Sequence, residues 1–132
     1  MYFDNSSLQP EANQSAQRNL GRYLVEGPGH CGECHTPRGL LGQMEPSQHL
    51  AGAPAPDGKG KAPNLVGAEL ADWTKADIVE ALSSGFTPSG DVLGGSMTGV
   101  VRNMAQLLQS DREAIAVYLK SLQSLGAPAA KP

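Results

Sequence analysis

The sequence predicts an all-α fold, a few helices joined by long ordered loops, and three observations carry that expectation. Several segments space their apolar residues at helical intervals between recognisable start and stop signals. No segment shows the strict alternation of a half-buried strand. Gly (16) and Pro (10) are abundant in a chain of 132 residues and cluster between the helical segments.

Taken in order, residues 1–14 are polar and without period, which predicts a flexible lead-in to one domain over 15–125. The first helix is expected near Ser15–Glu26, with Ala16, Leu20, Tyr23 and Leu24 on one face, and Gly27-Pro28-Gly29 as its stop. Residues 39–70 hold six Gly and four Pro and read as a long loop, with Lys59 and Lys61 at an exposed tip. Thr74 with Asp77 forms a capping-box pattern and opens a helix over Thr74–Ser84. Ile78, Ala81 and Leu82 share its inner face, and Gly85 closes it. A second Gly-rich loop covers 86–99, and a short apolar helix is expected over 99–108. Ser110 with Glu113 is a further capping-box pattern, opening a helix near Asp111–Leu122. Its stripe, Ile115, Tyr118, Leu119 and Leu122, falls at i, i+3, i+4 and i+7. Residues 126–132, rich in Ala and Pro, are expected to be a flexible tail.

The totals narrow the function. Apolar residues make up 39 % of the chain, below the roughly 45–50 % of ordinary globular proteins. So lean a core needs a further apolar body to pack on. A net charge of −3 speaks against nucleic acid, which calls for a basic surface. No run approaches the ~20 apolar residues of a membrane span, and no charged-then-apolar leader opens the chain.

The chemistry lies in Cys31-Gly32-Glu33-Cys34-His35. Cysteines three positions apart close too small a loop to serve as a structural disulfide. The C-x-x-C-H form is that of a c-type haem attachment site. Two thiols on one helical turn can each add to one porphyrin vinyl group, and the next residue, His35, then lies under the iron as its ligand. A thioredoxin-like dithiol is an alternative, but it calls for a βαβ context. A zinc site is another; it needs further ligands at metal spacing, and His30 and His49 do not make such a pair. For the second axial ligand, His30 abuts Cys31 too closely to reach the other face, and Met44 and His49 lie on the loop that follows the motif. Met104 sits among apolar residues and reads as core. Met97, after the Gly94-Gly95 pair and before Val100-Val101, is the chosen ligand; an open or water-bound iron is the alternative. Arg38 is a candidate propionate partner or a plain surface residue. Lys59 and Lys61 either steer a docking partner or are simply solvated.

At this point the sequence resembles a class I cytochrome c, with helices wrapped around one covalent haem. Gly21 and Tyr118 are similar to the pair where the terminal helices of that family cross. Ala62-Pro63-Asn64-Leu65 resembles the family's G-P-N-L, with Ala in place of Gly. The resemblance implies that the Pro63 carbonyl accepts the hydrogen bond from His35 Nδ1–H and fixes its orientation. It also implies that Trp73 donates toward a haem propionate; plain core packing is the alternative reading of that residue. Gly29 to Arg38, Trp73 to Gly85, Met97 to Val101 and Ala114 to Lys120 resemble haem domains of cytochrome subunits of bacterial alcohol and gluconate dehydrogenases. That likeness covers about residues 18–124; such subunits usually carry three such domains, and this chain has one.

The function so implied is electron transfer rather than catalysis. The chain is expected to carry single electrons through one haem c, whose iron His35 and Met97 ligate. The donor is a dehydrogenase, the acceptor a terminal oxidase or another cytochrome, and the location the bacterial periplasm. A removed leader or anchor would account for export. The alternative is a haem enzyme or a gas- or peroxide-binding domain with a labile sixth ligand.

Overall fold

The computed structural model describes residues 8–56 and 58–124. Among them the chain forms five α-helices: α1 (Ala16–Glu26), α2 (Gly32–His35), α3 (Lys75–Ser84), α4 (Met97–Met104) and α5 (Gln109–Ser124). A two-stranded antiparallel ladder joins β1 (Ala53–Pro54) to β2 (Lys61–Ala62), with Ala53 opposite Ala62. The all-α expectation holds, with this small ladder added to it. Strands of two residues leave no room for an alternating pattern, so periodicity cannot reveal them. The expected tail, 126–132, and residues 1–7 of the expected lead-in lie outside the described residues. No described helix is long and apolar enough to cross a membrane.

The crossing of α1 and α5 is the frame of the fold. A Cβ built on Gly21 would lie 1.9 Å from the Ala114 carbonyl oxygen and 2.8 Å from Tyr118 Cβ. Only hydrogen fits there, so Gly21 sets how closely the two backbones approach. The expected inner face of α1 does not hold. Leu20 and Tyr23 are exposed at 39 % and 52 %, while Arg18, Gly21 and Val25 are buried. The reason is the crossing itself: contact passes through the residue without a side chain, and Leu20 and Tyr23 turn outward beside it, while Leu24 still packs partly on the core. Arg18 covers the crossing with its stem. Its guanidinium stands 5.1 Å from the Tyr118 ring centroid, and its Nε donates to Ser121 Oγ at 2.9 Å. Glu11 takes its remaining charge at 2.8 Å, and the Glu11 N–H donates to Asn19 Oδ1, so the segment before α1 runs along that helix.

On α5 the expected stripe is the buried one. Ile115, Tyr118 and Leu119 sit in the core with Val25, Leu50, Val66, Leu70, Ile78 and Val79. Each fully buried side chain of this size contributes about 1.5–3 kcal/mol. The helix starts at Gln109, so Ser110 lies inside its first turn and not at the cap. The cap of α3 forms as expected. Thr74 Oγ1 accepts from the Asp77 N–H at 3.1 Å, and Asp77 returns the bond to the Thr74 N–H at 2.8 Å. Gly85 ends α3 with φ 85°, a conformation that favours glycine.

Candidate haem attachment site

Cys31 precedes α2, Cys34 and His35 lie on it, and the His35 N–H donates to the Cys31 carbonyl at 3.1 Å. Both thiols are free and half-buried on one turn. Burial, with the nearby Glu26 carboxylate, pushes the Cys31 thiol up to about 11. A thiol held protonated in this way is a poor dithiol–disulfide exchanger, since the thiolate is the attacking species. No group of three or more His, Cys, Asp or Glu among the described residues could hold a metal by itself.

The His35 ring is buried, and its Nδ1 lies 2.8 Å from the Pro63 carbonyl oxygen. A carbonyl only accepts, so Nδ1 carries the proton and Nε2 keeps its lone pair. That is the tautomer a metal takes. Burial draws His35 below the ordinary histidine range, partly offset by the bond to Pro63, so the imidazole is neutral near pH 7.

Chain geometry brings Pro63 to this place. The Gly52 N–H donates to the His35 carbonyl at 2.7 Å, and the Leu65 N–H donates to the Leu50 carbonyl at 2.9 Å. Between them β1 and β2 pair, so the long loop doubles back on the attachment turn. Asn64 braces the return, accepting from the Val66 N–H at 2.9 Å.

The other sequence-derived candidates fall in distinct places. Met97 is half-buried in the first turn of α4, just after Gly94-Gly95. It belongs to the helix and not to the loop before it, because the helix begins two residues earlier than expected. Met104 is half-buried and packs against the core. His49 is held by Glu26, with Nε2 2.8 Å from both carboxylate oxygens. His30 is exposed with φ 36°. Met44 is exposed and pairs its backbone with Arg38. Arg38 is exposed, ion-paired with Glu33, and donates to the Gly42 carbonyl at 3.2 Å. Trp73 is half-buried against the core. Lys61 pairs with Glu69.

These residues fit a haem c. The two thiols share one turn, and the imidazole has Nδ1 fixed by Pro63 and Nε2 left with its lone pair. Met97, Val100, Val101 and Met104 fall at i, i+3, i+4 and i+7, and yet no residue of α4 is buried. A helix with an apolar row and no fully covered residue calls for an apolar companion.

Sequence reading missed Arg112. It is 9 % exposed, and its Nη1 donates to the carbonyls of Met104 (3.0 Å), Ala105 (3.2 Å) and Leu107 (2.7 Å). It thus anchors the C-terminal end of α4, where a cation is favoured. The signal was present: Arg112 continues the buried row of Ile115 and Leu119 backward by three positions, and a charge on a buried row needs partners.

No family model matches the chain. It is 54 % identical over 115 residues to a "Diheme cytochrome c-type" protein of Cereibacter sphaeroides, covering 87 % of this chain and 38 % of that protein. It is 37 % identical over 128 residues to the gluconate 2-dehydrogenase cytochrome c subunit of Pantoea cypripedii, covering 90 % of this chain and 29 % of the relative. It is 40 % identical over 131 residues to the cytochrome c subunit of the quinone-type alcohol dehydrogenase of Gluconobacter oxydans, covering 92 % and 26 %. The chain spans well under half the length of each of these relatives.

Proposed function

Since the chain belongs to the c-type cytochromes, we propose that it carries one haem, covalently held by Cys31 and Cys34 and ligated by His35 and Met97, and passes single electrons between periplasmic redox partners. The observation that carries this reading is the His35 Nδ1–Pro63 O hydrogen bond of 2.8 Å beside the two free thiols. It presents Nε2 of a neutral imidazole as a fixed donor. A haem c supplies a reversible one-electron change at its iron. The protein residues do the rest. Cys31 and Cys34 would tether the group, His35 would ligate its iron, and Met97 would offer a neutral thioether that favours the reduced state. Val100 and Val101 add apolar bulk that keeps water away. Trp73 would donate to a propionate, and Arg38 could join it only by giving up Glu33.

That relatives are dehydrogenase subunits supports a dehydrogenase as donor; the acceptor in this reading is a terminal oxidase or another cytochrome. The role is electron transfer and not substrate turnover.

The test is direct. The protein expressed with a haem-attachment system should keep haem on the chain through denaturing electrophoresis, at one haem per chain. The double variant Cys31→Ala, Cys34→Ala should lose it to acidified organic solvent. Covalent haem surviving in that variant would refute the assignment.

A further inference from the structure

We propose that Thr36 is a positioning residue for His35, setting the strength of the His35–Pro63 hydrogen bond, and through it the reduction potential, by holding Leu50 in a left-handed turn. The inference rests on His35 being the haem ligand, as proposed above.

Leu50 is fully buried, with φ 59°. A branched side chain there is strained, since the left-handed region crowds its Cβ. Such a residue persists only where its surroundings over-determine it. Here three contacts do so. The Leu50 N–H donates to Thr36 Oγ1 at 3.0 Å, its carbonyl accepts from the Leu65 N–H at 2.9 Å, and its side chain lies in the core. Only the first reaches back to the attachment turn. Thr36 directly follows the proposed ligand and is 1 % exposed, so water cannot replace its hydroxyl.

The turn at Leu50 aims the chain that meets Pro63. Two residues on, Gly52 (φ 96°) donates to the His35 carbonyl at 2.7 Å. A Cβ on Gly52 would stand 3.2 Å from the Pro63 carbonyl carbon, so the two segments touch. Leu50 and Gly52 thus grip both His35 and the 62–65 segment, and the Pro63 carbonyl falls on Nδ1. Without the Thr36 hydroxyl, the Leu50 N–H is buried and unpaired, and the strained turn loses the partner that ties it to His35. The Pro63 carbonyl is then free to drift from Nδ1. A strong Nδ1–H···O bond raises the basicity of Nε2 and so favours oxidised iron; weakening it raises the potential.

The experiment compares holoprotein carrying Thr36→Val, which keeps the volume and removes the oxygen, with Thr36→Ser, which keeps the oxygen. Wild type whose haem absorption spectrum is lost or shifted in His35→Ala establishes the parent reading separately. Thr36→Val should raise the midpoint potential measurably, and Thr36→Ser should restore it to the wild-type value. A Thr36→Val protein with lowered stability but an unchanged potential overturns the proposal, since a purely structural threonine predicts that result. Native-state hydrogen exchange on wild-type holoprotein decides the matter if Thr36→Val does not assemble. The Leu50, Gly52 and Leu65 amides and the His35 Nδ1 proton should open as one unit. A Leu50 amide that exchanges freely while Gly52 and the His35 proton stay protected overturns it equally.

Discussion

His49 and Glu26 meet behind the attachment turn, with the imidazole Nε2 2.8 Å from both carboxylate oxygens. Glu26 closes α1, and His49 lies on the loop after the motif. The Tyr118 hydroxyl donates to the same carboxylate at 2.9 Å, which ties α5 into the junction. A Cβ on Gly32 would stand 3.2 Å from His49 Cε1, so the pair also backs the turn between the two cysteines.

This pair makes stability depend on pH. The hydrogen bond to Glu26 raises His49 against the opposing effect of burial. Burial works to raise Glu26, but His49, Tyr118 and Arg22 together bring it below the ordinary range. The raised histidine stabilises fully below its ordinary value of 6.5 and loses that contribution as pH climbs through its folded value. The lowered carboxylate stabilises fully above 4.5 and loses its share as pH falls through its folded value. Stability from the pair should therefore be greatest between pH 4.5 and 6.5. Denaturant titrations of wild type and His49→Gln across pH 4–9 should show a gap that narrows on the alkaline side. A gap that widens there would contradict the assignment.

Gly21→Ala should be strongly destabilising. An alanine ordinarily favours a helix by about 1 kcal/mol over glycine. Here its Cβ would fall 1.9 Å from the Ala114 carbonyl oxygen, and backbone cannot yield as a side chain does. The helices must part, at a cost of at least ~1–3 kcal/mol. The denaturation midpoint of the holoprotein measures it, and an unchanged midpoint would mean that the crossing lies elsewhere.

Met97 and Met104 should separate cleanly. Met97→Ala should open a coordination position, lower the potential and let carbon monoxide or cyanide bind quickly. Met104→Ala should leave ligand binding unchanged. Being only half-buried against the core, Met104 should cost less than the ~2–5 kcal/mol of a fully buried methionine. Rapid carbon monoxide binding by the Met104 variant alone would reverse the choice.

Arg112→Met should loosen α4 while keeping most of the stem's packing. Three carbonyls lose the one Nη1 donor they share; its two hydrogens make at most two full charge-assisted bonds, each contributing about 1.5–3 kcal/mol net. Because Met97 begins the helix that Arg112 anchors, the variant should take up carbon monoxide faster than wild type. Stopped-flow mixing reads that rate; a destabilised variant with an unchanged rate would confine Arg112 to a structural role.

Features that depend on short spacing are legible in the residue pattern alone. The C-x-x-C-H turn, the Thr74–Asp77 capping box, the Gly85 stop and the Ile115–Tyr118–Leu119 stripe all place their partners within one or two turns of helix, where 3.6-residue geometry decides who meets whom. Features that long-range contact selects emerge only in the folded chain. Periodicity turned the wrong face of α1 inward, because a glycine shows no hydrophobic signal and yet made the closest contact. The two-residue ladder, the left-handed Leu50, the His49–Glu26 pair and the Arg112 anchor each join residues whose spacing carries no local pattern. Pro63 was named only through resemblance. Nothing in a sequence separation of 28 from His35 predicts a hydrogen bond, which forms because Leu50 and Gly52 turn the chain back on the attachment site.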